Sequence, residues 1–201
     1  KSMGAWLLIV ALITAGLTSI FTSPVRATTY VRYVDADVSG GAQDGTSWAN
    51  AYRYLQDALA EANADGSHDY EIWVAVGVYY PDEGDGMTDD DRTASFRIKS
   101  YNVQLYGGFA GEEISRAARD PLAHVTVLSG DIDQNDADTD GNGIAETWED
   151  LQGSNAYHVV YIDGITNELI TTDTVIDGLT IPAGHADGDW PHYKGGGVYC
   201  D

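Results

Sequence analysis

Four short apolar runs, each closed by glycine, most constrain what this chain can fold into: "IWVAVG" (72–77), "VQLYGG" (103–108), "VTVLSG" (125–130) and "VVYIDG" (159–164). Each is too short for a helix, is rich in β-branched and aromatic residues, and ends in a turn signal, so each reads as a strand. Laid on one another, Val103, Leu105 and Gly108 fall on Val125, Val127 and Gly130 at a shift of 22 residues (105 to 127). The flanking shifts are 31 (72 to 103) and 34 (125 to 159), and these intervals hold two acidic insertions, 81–92 and 131–153. The same step of 22 recurs from Ile176 to Val198. A unit of this size, built of short strands and polar turns, predicts an all-β solenoid whose coils stack. The competing architecture is a β-sandwich, which would show cleaner in/out alternation and has no need of a common glycine phase.

One stretch reads as a helix. Trp48, Tyr52, Leu55, Leu59 and Ala62 recur at three- and four-residue steps behind a Ser47 N-cap, predicting an amphipathic helix over 48–62 that "NADGSHD" terminates. "TYVRYVDA" before it reads as a strand. Residues 1–27 combine a positive start, an apolar run over Ala5–Leu17 and a small-residue cleavage site "VRA", which predicts a secretory signal. The alternative, a membrane anchor, needs about 20 apolar residues. The mature part, 28–201, is expected to be one solenoid domain truncated at its C-terminus, secreted or displayed at the cell surface.

The chain carries 10 basic and 32 acidic residues; without Lys1 and Arg26 the balance is 8 against 32, a net charge of −24. So negative a surface argues against nucleic acid and anionic membrane as partners and favours cations. A hydrophobic fraction of 43% still suffices for a packed core. The lone Cys200 leaves no disulfide inside the segment.

The ordered words "YVDADVSGGAQDGTSWANAYRYLQDALAEA", "EIWVAVGVYYP", "RTASFRIKSYNVQLYGGFAGEE", "VTVLSGDI", "NAYHVV", "IDGLTI" and "GGGVY" cover nearly all of residues 30–200. They resemble secreted right-handed parallel β-helix proteins of the pectin-lyase-like superfamily, including bacterial surface proteins with polymorphic-outer-membrane-protein-type repeats. The resemblance implies three sheets wound into a coil, with an N-terminal helix capping the first rung, whose open strand edges need a cover.

The candidate metal site is "DTDGNGIAETWE", 138–149. With Asp138 at position 1 of a calcium loop, the ligands are Asp138, Asp140, Asn142, the Ile144 carbonyl, Glu146 and Glu149, and Gly143 falls at the sharp turn. Oxygen ligands in this number select Ca²⁺. A register starting at Asp136 and a merely solvated acidic turn are the alternatives. The run Asp82–Asp91 lacks ligand spacing and reads as a solvated insertion.

Catalytic candidates are sparse. On the resembled fold, lyases use a cation with an Arg or Lys base, and hydrolases use paired carboxylates. Arg97, Lys99 and Lys194, with Asp177, Asp187 and Asp189, are the residues of those types, but the words that accompany "RIK" in polygalacturonases are absent. Strand alternation puts Arg97 and Lys99 on one side, the solvent side. His124 and His158 read as structural, and His185 and His192 bracket a polar turn. Tyr79, Tyr80, Tyr101, Tyr106, Tyr157 and Tyr161 lie in or beside strands, where they are expected to be mostly core, with a sugar-binding strip as the alternative. The expected function is a non-catalytic scaffold or adhesin-like binding domain for an extracellular polysaccharide or surface ligand, with a lone Ca²⁺ loop. The alternative is a polysaccharide lyase or glycoside hydrolase.

Overall fold

The computed structural model describes residues 28–99, 103–165, 170 and 173–201, so the expected signal at 1–27 and Tyr101 lie outside the described residues. Among the described residues the strands are β1 (Thr29–Val34), β2 (Asp69–Ala75), β3 (Gly77–Tyr79), β4 (Phe96–Ile98), β5 (Val103–Phe109), β6 (Thr126–Leu128), β7 (Val160–Ile162), β8 (Val175–Asp177), β9 (Leu179–Thr180) and β10 (Val198–Cys200), with one α-helix, α1 (Leu55–Ala64). They form sheet A (β1-β2-β5-β8), sheet B (β3-β6-β9) and sheet C (β4-β7-β10). Every neighbouring pair is parallel. Parallel neighbours need a crossover. Here the chain crosses by visiting A, then B, then C, before returning to A.

The step of 22 residues fails as a pairing rule. Val103 and Leu105 belong to sheet A, whereas Val127 belongs to sheet B; Ile176 and Val198 likewise fall in sheets A and C. The residues that stand on each other are Ile72, Leu105 and Ile176, separated by 33 (72 to 105) and 71 (105 to 176). The glycine phase misleads because the glycines stand at different places: Gly77 opens β3, Gly108 lies inside β5, and Gly130 and Gly164 follow β6 and β7. The period is hidden for a second reason. Two A-to-B bends take single residues, Val76 and Gly178, and the third runs over 110–125, while the B-to-C connections run over 80–95, 129–159 and 181–197. Both acidic insertions therefore leave the sheets at the same bend, and the longer one is closed at its neck by an antiparallel bridge, Asp131 to Asn155, and by the Ala156 N–H donating to the Gly130 carbonyl (2.7 Å).

Strand alternation sorts the side chains. Tyr70, Ile72 and Val74 of β2 and Val103 and Leu105 of β5 face the main core with Phe96, Ile98 and Val160 of sheet C and Leu128 of sheet B. The opposite face of sheet A is also covered: Trp73, Tyr106 and Phe109 cluster there with Val31, Tyr33, Trp48 and Val175. Covering both faces explains why "IWVAV" is a continuous apolar run.

The helix is shorter than expected. Ser47 does cap a turn, accepting from the Asn50 N–H (3.3 Å), but Trp48–Asn50 is a single 3-10 turn, and α1 begins at Leu55. Tertiary pairing interrupts the helical pattern, because Tyr52 forms a parallel bridge with Val34 and an extended residue cannot belong to a helix. Trp48 serves the second cluster instead, its indole N–H reaching the Glu113 carbonyl (3.0 Å). α1 buries Leu55, Ala58, Leu59 and Ala62 against the main core. Its Asn63 amide behaves as a strand residue would: it donates to the Arg97 carbonyl (2.7 Å) and accepts from the Lys99 N–H (2.8 Å). The free edge of β4 is thus satisfied by α1.

Candidate functional site

Three outward residues of sheet C stand in register, Arg97 on Tyr161 and Tyr161 on Tyr199. The long B-to-C connections rise beside them, so a cleft of about 540 Å³ forms between this face, α1 and the segments 85–95 and 191–192. Its size falls in the range of small-ligand sites.

Rings dominate it. Arg97 lies over the Tyr161 ring (4.7 Å), Tyr161 meets Tyr199 (5.2 Å), Tyr199 stacks on His158 (4.7 Å, 21°), and His158 adjoins His192 (5.4 Å). His192 stacks on Tyr157 (4.5 Å, 24°), and Arg92 covers Tyr157 (4.3 Å). Five rings thus form a column with a guanidinium at each end. Such contacts fix the rings and add attraction beyond buried area.

Charge and protonation follow from burial. Arg97 donates to the fully buried Asp163 carboxylate (2.5 and 3.1 Å), and Lys99 lines the same cleft. The Tyr161 hydroxyl donates to Asp201 (2.6 Å), and burial with that bond pushes its pKa up to about 12. It therefore acts as a hydrogen-bond donor at neutral pH. Burial lowers the His158 pKa, which keeps its imidazole neutral.

Of the catalytic candidates, Arg97 and Lys99 share this cleft, as alternation requires. Lys194 lies over Tyr193 (5.3 Å) instead. Asp177 pairs with Arg119 on sheet A, Asp187 is held by Arg92 (2.5 Å), and the Asp189 carbonyl accepts from the His192 N–H (2.6 Å).

The 138–149 segment turns around the Asp138 carboxylate, and its Asp138, Asp140, Glu146 and Glu149 ligand atoms are not gathered as a group of three or more within 4.8 Å. Asp138 accepts from the N–H groups of Gly141 (2.7 Å), Asn142 (3.1 Å) and Gly143 (2.8 Å), and these bonds, that from Gly143 foremost, hold its pKa down. The Asn142 amide donates to Asp140 (3.1 Å) and Glu146 (3.3 Å) and accepts from the Ile144 N–H (2.8 Å). Gly143 has φ +75° and packs on Val78 of β3, so the loop folds back onto sheet B. Glu149 sits in an exposed 3-10 turn, Trp148–Asp150.

Among the described residues, three potential ligand atoms gather within 4.8 Å of one another only at Asp82, Asp89 and Asp90. The carboxylate of Asp82 is buried and accepts from the Asp90 N–H (3.0 Å), and burial raises its pKa. This cluster could hold a metal ion. Sequence spacing passed it over, because Asp82 and Asp89 are brought together by a bend of the connection rather than by a loop of fixed spacing. The column was missed for a related reason: His158 and Tyr161 belong to the segment around β7, whereas His192 and Tyr199 belong to the distant segment around β10. The signal present was Tyr at the centre of two three-residue strands.

Among the described residues no helix is long and apolar enough to cross a membrane. Searches against protein-family models, curated proteins and solved structures returned no match.

Proposed function

We propose that the chain is a right-handed parallel β-helix that serves as a secreted or surface-displayed, non-catalytic binding scaffold, taking an extracellular polysaccharide along the outer face of sheet C. The carrying observation is the cleft itself. Aromatic rings and two cationic side chains line a cleft beside one face of a parallel sheet, and ring planes with adjacent hydrogen-bond donors suit sugar rings. The repeated A–B–C visit supports the coil, since each passage lays one strand on each sheet. Ca²⁺ is the proposed cation, held by Asp138, Asp140, Asn142, Ile144, Glu146 and Glu149, with the Asp82 cluster as a further acidic position.

Affinity electrophoresis through neutral and acidic polysaccharides tests the reading. Retardation by at least one polymer, lost in Tyr199→Ala and kept in the distant Tyr33→Ala, is the expected result; no retardation by any polymer refutes it.

A second reading, a polysaccharide lyase, is favoured by one observation: Arg97, Lys99 and the neutral His158 line the same cleft. A neutral imidazole beside cations suits proton abstraction from a uronate. Ultraviolet absorbance from unsaturated products would establish it in place of the scaffold.

A further inference from the structure

We propose that His158 and His192 form a two-imidazole chelate for a borderline divalent transition-metal ion such as Zn²⁺. His158 Nε2 and His192 Nδ1 face each other at 3.3 Å. Two imidazole nitrogens on one tetrahedral Zn²⁺, each about 2.0–2.1 Å from the ion, stand roughly 3.3–3.4 Å apart. The pair already has that separation.

The other nitrogen of His158 fixes its role. Nδ1 lies 3.1 Å from the Gly195 carbonyl, which can only accept, so Nδ1 carries the proton and Nε2 presents its lone pair to His192. A ligand histidine oriented by a carbonyl on its far nitrogen is the usual outer-shell arrangement. Both rings are also clamped, His158 against Tyr199 and His192 against Tyr157. His158 is 5% exposed, so its lone pair is shielded from bulk water on the sides the cleft does not open. Without metal, His192 Nδ1–H donates into that lone pair. To bind, His192 shifts its proton from Nδ1 to Nε2. Both rings stay neutral, and the ligands release no net proton.

Hard ions such as Ca²⁺ prefer oxygen, so this pair and the carboxylate loops select different metals. Among the described residues no third His, Cys, Asp or Glu atom joins the pair within 4.8 Å. Water or a molecule bound in the cleft completes the coordination, which makes the ion exchangeable and open to ligands.

The test is calorimetric titration of Zn²⁺ into the whole chain in excess Ca²⁺, which occupies the carboxylates. One equivalent should bind, and His192→Gln should weaken it by at least about tenfold. Absence of Zn²⁺ binding under these conditions, or unchanged affinity in His192→Gln, overturns the proposal. Because a substitution at buried His158 can disturb folding, its part is read in the unmodified protein from imidazole ¹⁵N shifts. Movement of the His158 and His192 resonances is expected; movement confined to His68 or His185 refutes the site. Polysaccharide retention has no part in these readouts, so the two readings fail separately.

Discussion

Single residues here are decided by what burial does to charge. The folded-state pKa of Asp82 is raised above its unfolded value, chiefly by desolvation. Its ionised form therefore opposes folding at neutral pH, and the opposition is relieved as pH falls through the raised value. Asp82→Asn should accordingly raise the melting temperature at pH 7 in metal-free buffer. With a divalent cation bound by Asp82, Asp89 and Asp90, the same substitution should lower it. An identical sign in both buffers, measured by calorimetry, would remove the cluster as a cation site. Leu105 and Gln104 show the other residue-scale control. Leu105 stands between Ile72 and Ile176 in the core, whereas Gln104 points away from it. Leu105→Ala should cost about 2–5 kcal/mol in urea unfolding, and Gln104→Ala less than about 1 kcal/mol. Equal costs would contradict the register.

Elements meet their needs by borrowing from each other. Among the described residues no strand lies beside the outer edge of β4, and Asn63 of α1 supplies one donor and one acceptor in a strand's place. Asn63→Ala leaves the Arg97 carbonyl and the Lys99 N–H without these partners and should cost about 1–3 kcal/mol. Asn63→Asp, which keeps the acceptor but loses the donor, should fall between the wild type and Asn63→Ala; a loss larger than that of Asn63→Ala would assign the effect to charge. The proposed Ca²⁺ loop lies within the 131–153 insertion. Ca²⁺ at about 100 times its dissociation constant should add about 2.7 kcal/mol of stability and shield the insertion from proteolysis. Asp138→Ala removes the acceptor of three backbone N–H groups and should abolish both effects. Protection that persists in Asp138→Ala would leave the loop an acidic turn.

For the whole molecule, a net charge of −22 sets self-repulsion against compactness. Because much of that charge lies in exposed connections, screening should matter. Raising NaCl from about 0.01 to 0.15 M shortens the Debye length from about 30 to 8 Å and should raise the melting temperature. A melting temperature that falls over this range would show that the ion pairs of Arg32, Arg97 and Arg116 outweigh the repulsion.

The sequence by itself determined most of the strands, the outward side of Arg97, the apolar stripe of α1 and the acidic excursions. Each of these is carried by neighbouring residues, through a period of two or 3.6 and through turn chemistry. Only the tertiary structure decided that Leu105 lies on Ile72 rather than under Val127, that Trp48 and Tyr52 leave the helix, that Asp82 meets Asp90, and that Tyr199, His158 and His192 close one column. Those contacts join segments across connections of unequal length. Local pattern fixes which face a side chain takes, but the partner across a sheet is chosen by global packing and the length of chain between.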